Sequence, residues 1–173
     1  YTATINPQPY AIRYPRGNGV MVDWRKPLQA LEIGKGRKVV EGQDIAILTI
    51  GAIGNLALKA IEKLGEEGIN SALYDMRFVK PLDEALLHEV FSKFKKVITV
   101  EDGCLMGGMG SAIIEFMVDH NYHAEVKRLG MPDRLVEHGE QSELYVECGY
   151  DEQAIAAAVT AMVGKGVVKL ATG

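Results

Sequence analysis

Apolar residues in this chain follow two spacings that take turns along it. "DIAILTIG" is apolar without alternation, which predicts a strand buried on both faces over residues 45–50. The preceding "KVVEG" predicts a short strand, with a tight turn at Glu41 and Gly42 before the buried one. In "NLALKAIEKLGEEG" the spacing becomes helical, through Leu56, Ala60, Ile61 and Leu64, with Gly65 or Gly68 closing the helix. "INSALYDM" reads as a strand. "KPLDEALLHEVFSKF" reads as a helix with Asp83 at its N-cap and Leu86, Leu87, Val90, Phe91 and Phe94 on its buried face. "KKVITVE" is a strand, "SAIIEFMVDH" a helix after a glycine loop, and "AEVKRLG" a strand. Two closing helices, "QSELYVECG" and "DEQAIAAAVTAMVG", complete the series, the second opening on Asp151.

Strands that alternate with helices of about ten residues imply βαβ crossovers, hence a largely parallel sheet covered on both faces. The expected fold is a three-layer α/β/α sandwich. The chain before residue 36 stands outside that rhythm. Residues 1–20 are expected to be the terminal segment of a preceding domain, 21–35 a linker, 36–163 the α/β domain and 164–173 a frayed tail.

Composition narrows the function without naming it. Hydrophobic residues at 47% and charged residues at 24% supply a core and argue against extensive disorder. A formal charge of −4, with no basic run, gives nothing to attract nucleic acid. No apolar stretch approaches the roughly 18–20 residues of a membrane span, and no basic-then-apolar signal segment opens the chain, so a soluble, cytoplasmic protein is expected. Cys104 and Cys148 lie far apart, without metal-ligand spacing, and read as reduced thiols. No metal site is visible.

Four stretches carry candidate chemistry, each with two readings. In "EDGCLMGGMGSA", Gly107, Gly108, Gly110 and Ser111 stand between a buried strand and a helix, where free backbone N–H groups suit an anion. The alternative is that the glycines let backbones cross closely and Ser111 caps the helix. The spacing is neither the dinucleotide fingerprint nor a phosphate-loop motif. Asp75, Arg77 and Lys80 follow the carboxyl end of a strand, where open α/β sheets bind ligands; an ion pair stiffening the turn is the alternative. His138, beside Glu137 and five residues after Asp133, is either half of a proton-shuttling pair or a loop anchor. His88, His120 and His123 lie on or beside helices with polar neighbours. The last stretch is "YAIRYPRGNG". As a strand it points Ile12, Tyr14 and Arg16 to one face and Arg13 to the other, and Pro15 ends the pairing. A guanidinium forks two hydrogen bonds onto a phosphate monoester, although a surface ion pair accounts for either arginine equally well.

The order "AIRYPRG", "IGKG", "DIAILTIG", "DMRFVKPLDE", "VITVEDG", "GGMGSA", "LGMPDRLVEHG" and a final Asp-started helix resembles the C-terminal part of the 1-deoxy-D-xylulose-5-phosphate synthases. This is a thiamine-diphosphate-dependent family of the transketolase superfamily. The likeness runs to about residue 163 and is lost from Gly164 onward. It implies a transketolase C-terminal-domain-like fold, with a five-stranded mixed, mostly parallel sheet whose first strand, "RKVVEG", runs against the others. It implies a full-length homodimeric transferase with upstream diphosphate-binding and pyrimidine-binding domains. The active site lies between those two, where magnesium grips thiamine diphosphate and a glutamate helps generate the ylide. Pyruvate loses carbon dioxide there, and a two-carbon unit adds to glyceraldehyde 3-phosphate, on the way to isoprenoids and thiamine. Arg16 matches the family arginine that holds the acceptor's phosphate, and Arg13 is its structural neighbour. No stretch matches the family's Gly-Asp-Gly motif or its catalytic glutamate. The chain is therefore expected to contain no catalytic, cofactor-binding or metal-binding residue, to bind no thiamine diphosphate, and to be inactive alone while supporting subunit assembly. Competing expectations are the C-terminal domain of a transketolase, that of a 2-oxoacid dehydrogenase β-type subunit, and a freestanding anion-binding or assembly module.

Overall fold

The computed structural model describes residues 1–15 and 25–164. Five strands form one sheet: β1 (Arg37–Val40), β2 (Ile45–Ile50), β3 (Ser71–Asp75), β4 (Lys96–Cys104) and β5 (Glu125–Met131). The helices are α1 (Thr2–Ile5), α2 (Gly54–Glu66), α3 (Glu84–Lys93), α4 (Met109–Asp119), α5 (Gln141–Cys148) and α6 (Glu152–Val163), with a short 3-10 turn at Gly51–Ile53 leading into α2. The strand order is β1-β3-β2-β4-β5. β1 runs antiparallel to β3, while every other neighbouring pair is parallel. The sheet is thus mixed and mostly parallel, as the resemblance implies.

β2 occupies the centre, and Ile45, Ala46, Ile47, Leu48 and Thr49 are all buried. Alternation sends Ile45 and Ile47 to one face, where α2 and α6 cover them through Ala57, Ala60, Leu64, Ile155 and Val159. Ala46 and Leu48 face the other side, under Leu87, Val90 and Phe91 of α3 and Ile113 and Phe116 of α4. The result is the expected three-layer α/β/α arrangement. Right-handed crossovers account for the sides: the connection from β2 to β3 runs one way along the sheet, and those from β3 to β4 and β4 to β5 run the other way.

Several local expectations need correction. The expected turn at Glu41 and Gly42 joins β1 to β2, which are not neighbours, because β3 lies between them. The chain instead crosses the start of β3 so closely that a Cβ on Gly42 would stand 2.2 Å from Ala72 N. Gln43 N and Asp44 N then donate to Asn70 O, both at 3.0 Å, and close the crossing. Residues 10–15 form no strand, since no neighbouring strand supplies a ladder and extended chain needs one. The one-turn helix α1 is a feature that residue patterning did not announce. On α3, Leu86 is only partly buried, at the rim of the core.

Asp83 does more than cap α3. It accepts from Leu86 N at 3.1 Å, and also from Gly36 N at 3.0 Å and Lys35 Nζ at 3.4 Å. One buried carboxylate therefore starts a helix and pins the chain that enters β1. Asp151 caps α6 through Ala154 N at 3.0 Å.

Asp83→Ala is expected to lower the unfolding free energy by about 1–3 kcal/mol, since it removes a cap and orphans a second donor; urea denaturation with an unchanged m-value checks this. Gly42→Ala is expected to cost about 1–3 kcal/mol through collision with the β3 backbone, whereas Gly65→Ala, in open space on α2, stabilises by up to about 1 kcal/mol. Melting both variants beside the parent chain tests the contrast.

Candidate functional site

In an open α/β sheet, ligands favour the carboxyl end of the strands where successive connections diverge. Here that crevice lies between β2 and β4: α2 leads from β2 toward β3, and α4 leads from β4 toward β5. Two adjacent acids, Glu101 and Asp102, stand there on β4. Strand alternation turns them to opposite faces, Glu101 toward α4 and Asp102 toward the α5–α6 side.

Glu101 is buried, and both of its oxygens are used. Met109 N donates to Oε2 at 2.7 Å and Gly110 N donates to Oε1 at 2.8 Å. The free N–H groups that make a helix N-terminus receptive to an anion are thus filled by a carboxylate of the chain itself. The glycines serve close packing. A Cβ on Gly108 would lie 2.3 Å from Cys104 O and from Glu101 Oε2, and one on Gly110 would lie 2.5 Å from Thr99 Oγ1. Ser111 does not cap α4. Its hydroxyl donates to Leu105 O at 3.0 Å and accepts from Gly107 N at 3.1 Å and Arg128 Nη1 at 2.9 Å, which fastens the loop. The structural reading of the glycine loop holds, with Glu101 in the role expected of Ser111.

Asp102 gathers donors from the other side. Tyr150 Oη donates to Oδ1 at 3.1 Å and Tyr145 Oη to Oδ2 at 3.3 Å. Arg13 Nη2 lies 3.6 Å from Oδ1. Burial, reinforced by the neighbouring Asp102 charge, pushes the Tyr145 hydroxyl up to about 12 and Tyr150 higher still. Both hydroxyls therefore remain protonated donors throughout the physiological range.

Of the other candidates, Asp75 and Arg77 take structural places in the turn after β3. Arg37 Nε donates to Asp75 Oδ2 at 3.1 Å, and Arg77 N donates to Asp75 Oδ1 at 3.2 Å, with Arg77 at φ 56°. Asp75 thus stiffens the turn after β3, and Lys80 stands exposed beyond it. His138, Asp133 and Glu137 are not drawn together: His138 is exposed, and no hydrogen bond or ion pair joins the three among the described residues. His88 and His120 combine aromatic packing with polar partners, and His120 Nδ1 lies 2.9 Å from Phe116 O. His88 Nδ1 lies 2.9 Å from Tyr122 Oη, and the His120 ring stacks on Phe116 with centroids 4.1 Å apart. His123 Nδ1 lies 3.1 Å from Asn121 O, a contact within its own loop. Cys104 and Cys148 are free thiols. Arg16 lies outside the described residues.

Thiamine diphosphate and magnesium, implied by the resemblance, do not fit the residues described. Among them no group of three His, Cys, Asp or Glu side chains is placed to hold a metal ion. The N–H groups of α4 that would face a diphosphate are taken by Glu101. A depression of about 550 Å³, open to solvent, lies at the opposite, amino end of β4 and β5, among Lys95, Met117, Tyr122, His123 and Glu125. No helix among the described residues is long and apolar enough to cross a membrane.

Residue patterning does not single out Glu101 and Asp102, which look like two charges at a strand end. The signal that could have found them is their adjacency at the close of a buried parallel strand, where alternation must send one acid to each covered face.

Comparison with known proteins agrees with this architecture. The family model described as "Transketolase, C-terminal domain" matches residues 34–155. A 1-deoxy-D-xylulose-5-phosphate synthase of Cytophaga hutchinsonii is 60% identical over 166 residues, 95% of this chain and 26% of the relative. The synthase of Bacteroides fragilis is 52% identical over 162 residues, 92% of this chain and 25% of the relative. The chain therefore spans about a quarter of the length of these curated relatives. Among solved structures, a split-gene transketolase described as an inactive β4 tetramer superimposes with a TM-score of 0.71 at 31% identity, covering 80% of this chain and 44% of that one. A transketolase of Pichia stipitis in complex with sedoheptulose 7-phosphate has a TM-score of 0.57 at 17% identity, covers 76% of this chain and 18% of that one, and bears on the fold alone. With family match, curated relatives and sheet topology in agreement, this chain belongs to the transketolase C-terminal domain family and matches the C-terminal region of 1-deoxy-D-xylulose-5-phosphate synthases.

Proposed function

We propose that this chain is the C-terminal part of a homodimeric, cytoplasmic, thiamine-diphosphate-dependent transferase. The enzyme condenses pyruvate with glyceraldehyde 3-phosphate, releasing carbon dioxide and giving 1-deoxy-D-xylulose 5-phosphate for isoprenoid and thiamine synthesis. The observation that carries the reading is 60% identity to such a synthase across 95% of the chain. In this reading residues 1–20 close the pyrimidine-binding domain, 21–35 link it onward, 36–163 form the C-terminal domain and 164–173 a tail. Magnesium and thiamine diphosphate are held by the upstream domains. The C-terminal domain supports those domains and the subunit assembly, and by itself performs no chemistry.

The arrangement at the carboxyl end of the sheet favours a supporting role. Glu101 fills the anion position of α4, and Asp102 receives a cation from the chain's own N-terminal segment, so the switch crevice is committed to internal contacts. Arg16 is assigned to the phosphate of glyceraldehyde 3-phosphate on its match to the family arginine. A guanidinium is suited to that task because its planar fork meets two phosphate oxygens at once.

In the full-length synthase, Arg16→Ala is expected to raise the apparent KM for glyceraldehyde 3-phosphate well above any change for pyruvate. The loss of about 1.5–3 kcal/mol of charge-assisted hydrogen bonding corresponds to roughly ten- to hundredfold. Steady-state kinetics with each substrate varied in turn decides it, and equal shifts for the two would remove the assignment. Calorimetric titration of the 173-residue chain with thiamine diphosphate and magnesium is expected to show no saturable heat; micromolar binding would contradict the division of labour.

A further inference from the structure

Because β2, β3, β4 and β5 are parallel, the connections that follow β3, β4 and β5 all emerge at the carboxyl end of the sheet. Each presents an exposed apolar side chain: Val79, Met106 and Leu135, the last of them 90% exposed. In the order β3-β2-β4-β5 these strand ends span three inter-strand spacings, about 15 Å. One apolar residue in water is ordinary, but one on each of three loops along a single end makes a surface.

The loops are held in place. Arg77 N donates to Asp75 Oδ1 in the first, and in the second Leu105 N donates to Met131 O at 2.9 Å while Gly107 N donates to Ser111. In the third, Arg134 N donates to Pro132 O at 2.9 Å and Arg134 Nη2 to Glu147 Oε1 at 2.8 Å. A partner therefore meets a surface already shaped, and little ordering entropy opposes the contact.

The polypeptide enters the sheet domain at this same end. β1 runs against β3, so its first residue, Arg37, lies opposite Asp75, the last of β3. Just upstream, the buried Asp83 accepts from Gly36 N, and Gly34 passes so near Pro81 that a Cβ would stand 2.8 Å from its Cγ. None of the described residues before Gly34 is buried, Ile12 and Leu28 included, so the sheet domain does not cover them. Since the chain spans about a quarter of its relatives' length, the larger body arrives at this end as well.

A second copy is a poor occupant. Residues 133–147 set Asp133, Glu137, Glu140, Glu143 and Glu147 against Arg134, a net −4 that equals the formal charge of the whole chain. A two-fold contact through Leu135 would oppose that charge to itself.

We infer that the carboxyl end of the sheet is the face on which the preceding domain of the same polypeptide docks. That domain closes over Val79, Met106 and Leu135 and offers basic side chains to residues 133–147. The inference rests on the chain being the C-terminal part of a synthase, and it adds which face is covered and by what chemistry.

Hydroxyl-radical footprinting of the full-length synthase, read by mass spectrometry against the same protein unfolded in urea, tests this. Met106 and Leu135 should be modified at least about fivefold more slowly in the folded enzyme, as the dry centre of an interface requires. Val118, 60% exposed at the amino end of the sheet, should be slowed less than about twofold. Met106→Glu combined with Leu135→Glu should raise the modification of Val79 about threefold or more, while Val118→Glu leaves it unchanged. Both substituted loop positions are exposed in the domain itself, and the footprint of the parent enzyme needs no variant. Met106 and Leu135 as reactive as Val118, an unmoved Val79 in the double variant, or protection lost on dilution to the monomer would each overturn the docking, the last by assigning the face to a second copy. A protein that makes 1-deoxy-D-xylulose 5-phosphate with both residues reactive leaves the functional reading standing and removes the docking. A protein with both residues protected but without that activity does the reverse.

Discussion

Residues 45–49 leave no face for water. A parallel strand whose side chains are all buried requires cover above and below, and that requirement organises the rest of the molecule. α2 and α6 answer it on one side, α3 and α4 on the other. Because right-handed crossovers fix which helix goes to which side, the connections from β2 and β4 diverge. A crevice opens between the carboxyl ends of these two strands, at the place where sheets of this kind hold their ligands.

In this chain the crevice serves the protein itself. Glu101 satisfies the amino end of α4, a task that an anionic ligand performs in nucleotide-binding sheets of similar architecture. Asp102, one residue on, meets two tyrosine hydroxyls and an arginine from a segment remote in sequence. Neighbouring acids thus do unlike work because alternation along β4 gives them different helices to face. One satisfies backbone donors of α4, and the other meets Arg13, which precedes the residues 34–155 that the family model matches.

That division suits a C-terminal domain in a chain that spans a quarter of its relatives' length. The structure combines a rigid body with contacts to the polypeptide that precedes β1. Rigidity comes from the two-sided core, and attachment from carboxylates at loop ends: Asp83 grips Lys35 and Gly36 at the entry to β1, and Asp102 receives Arg13. Asp83 stands at the start of α3 and Asp102 near the end of β4, so each couples a regular element to a less regular one.

Local residue order was enough to specify the strands and helices of the sheet domain, though not α1. Unbroken apolar runs at β2 and β3, helical spacing in α2, α3 and α6, and Asp83 and Asp151 at helix starts were legible because they depend on neighbours a few residues away, and the order of motifs carried the family. Strand order was not legible in that way, since β1 pairs with β3 and not with β2, its neighbour in sequence, and only the resemblance indicated that the first strand runs against the others. The capping of α4 by Glu101 instead of Ser111, the aromatic surroundings of His88 and His120, and the meeting of Arg13 with Asp102 emerge only once the chain is packed. Each joins groups far apart along the chain, and their partners follow from which face of the sheet a side chain takes and which helix covers it.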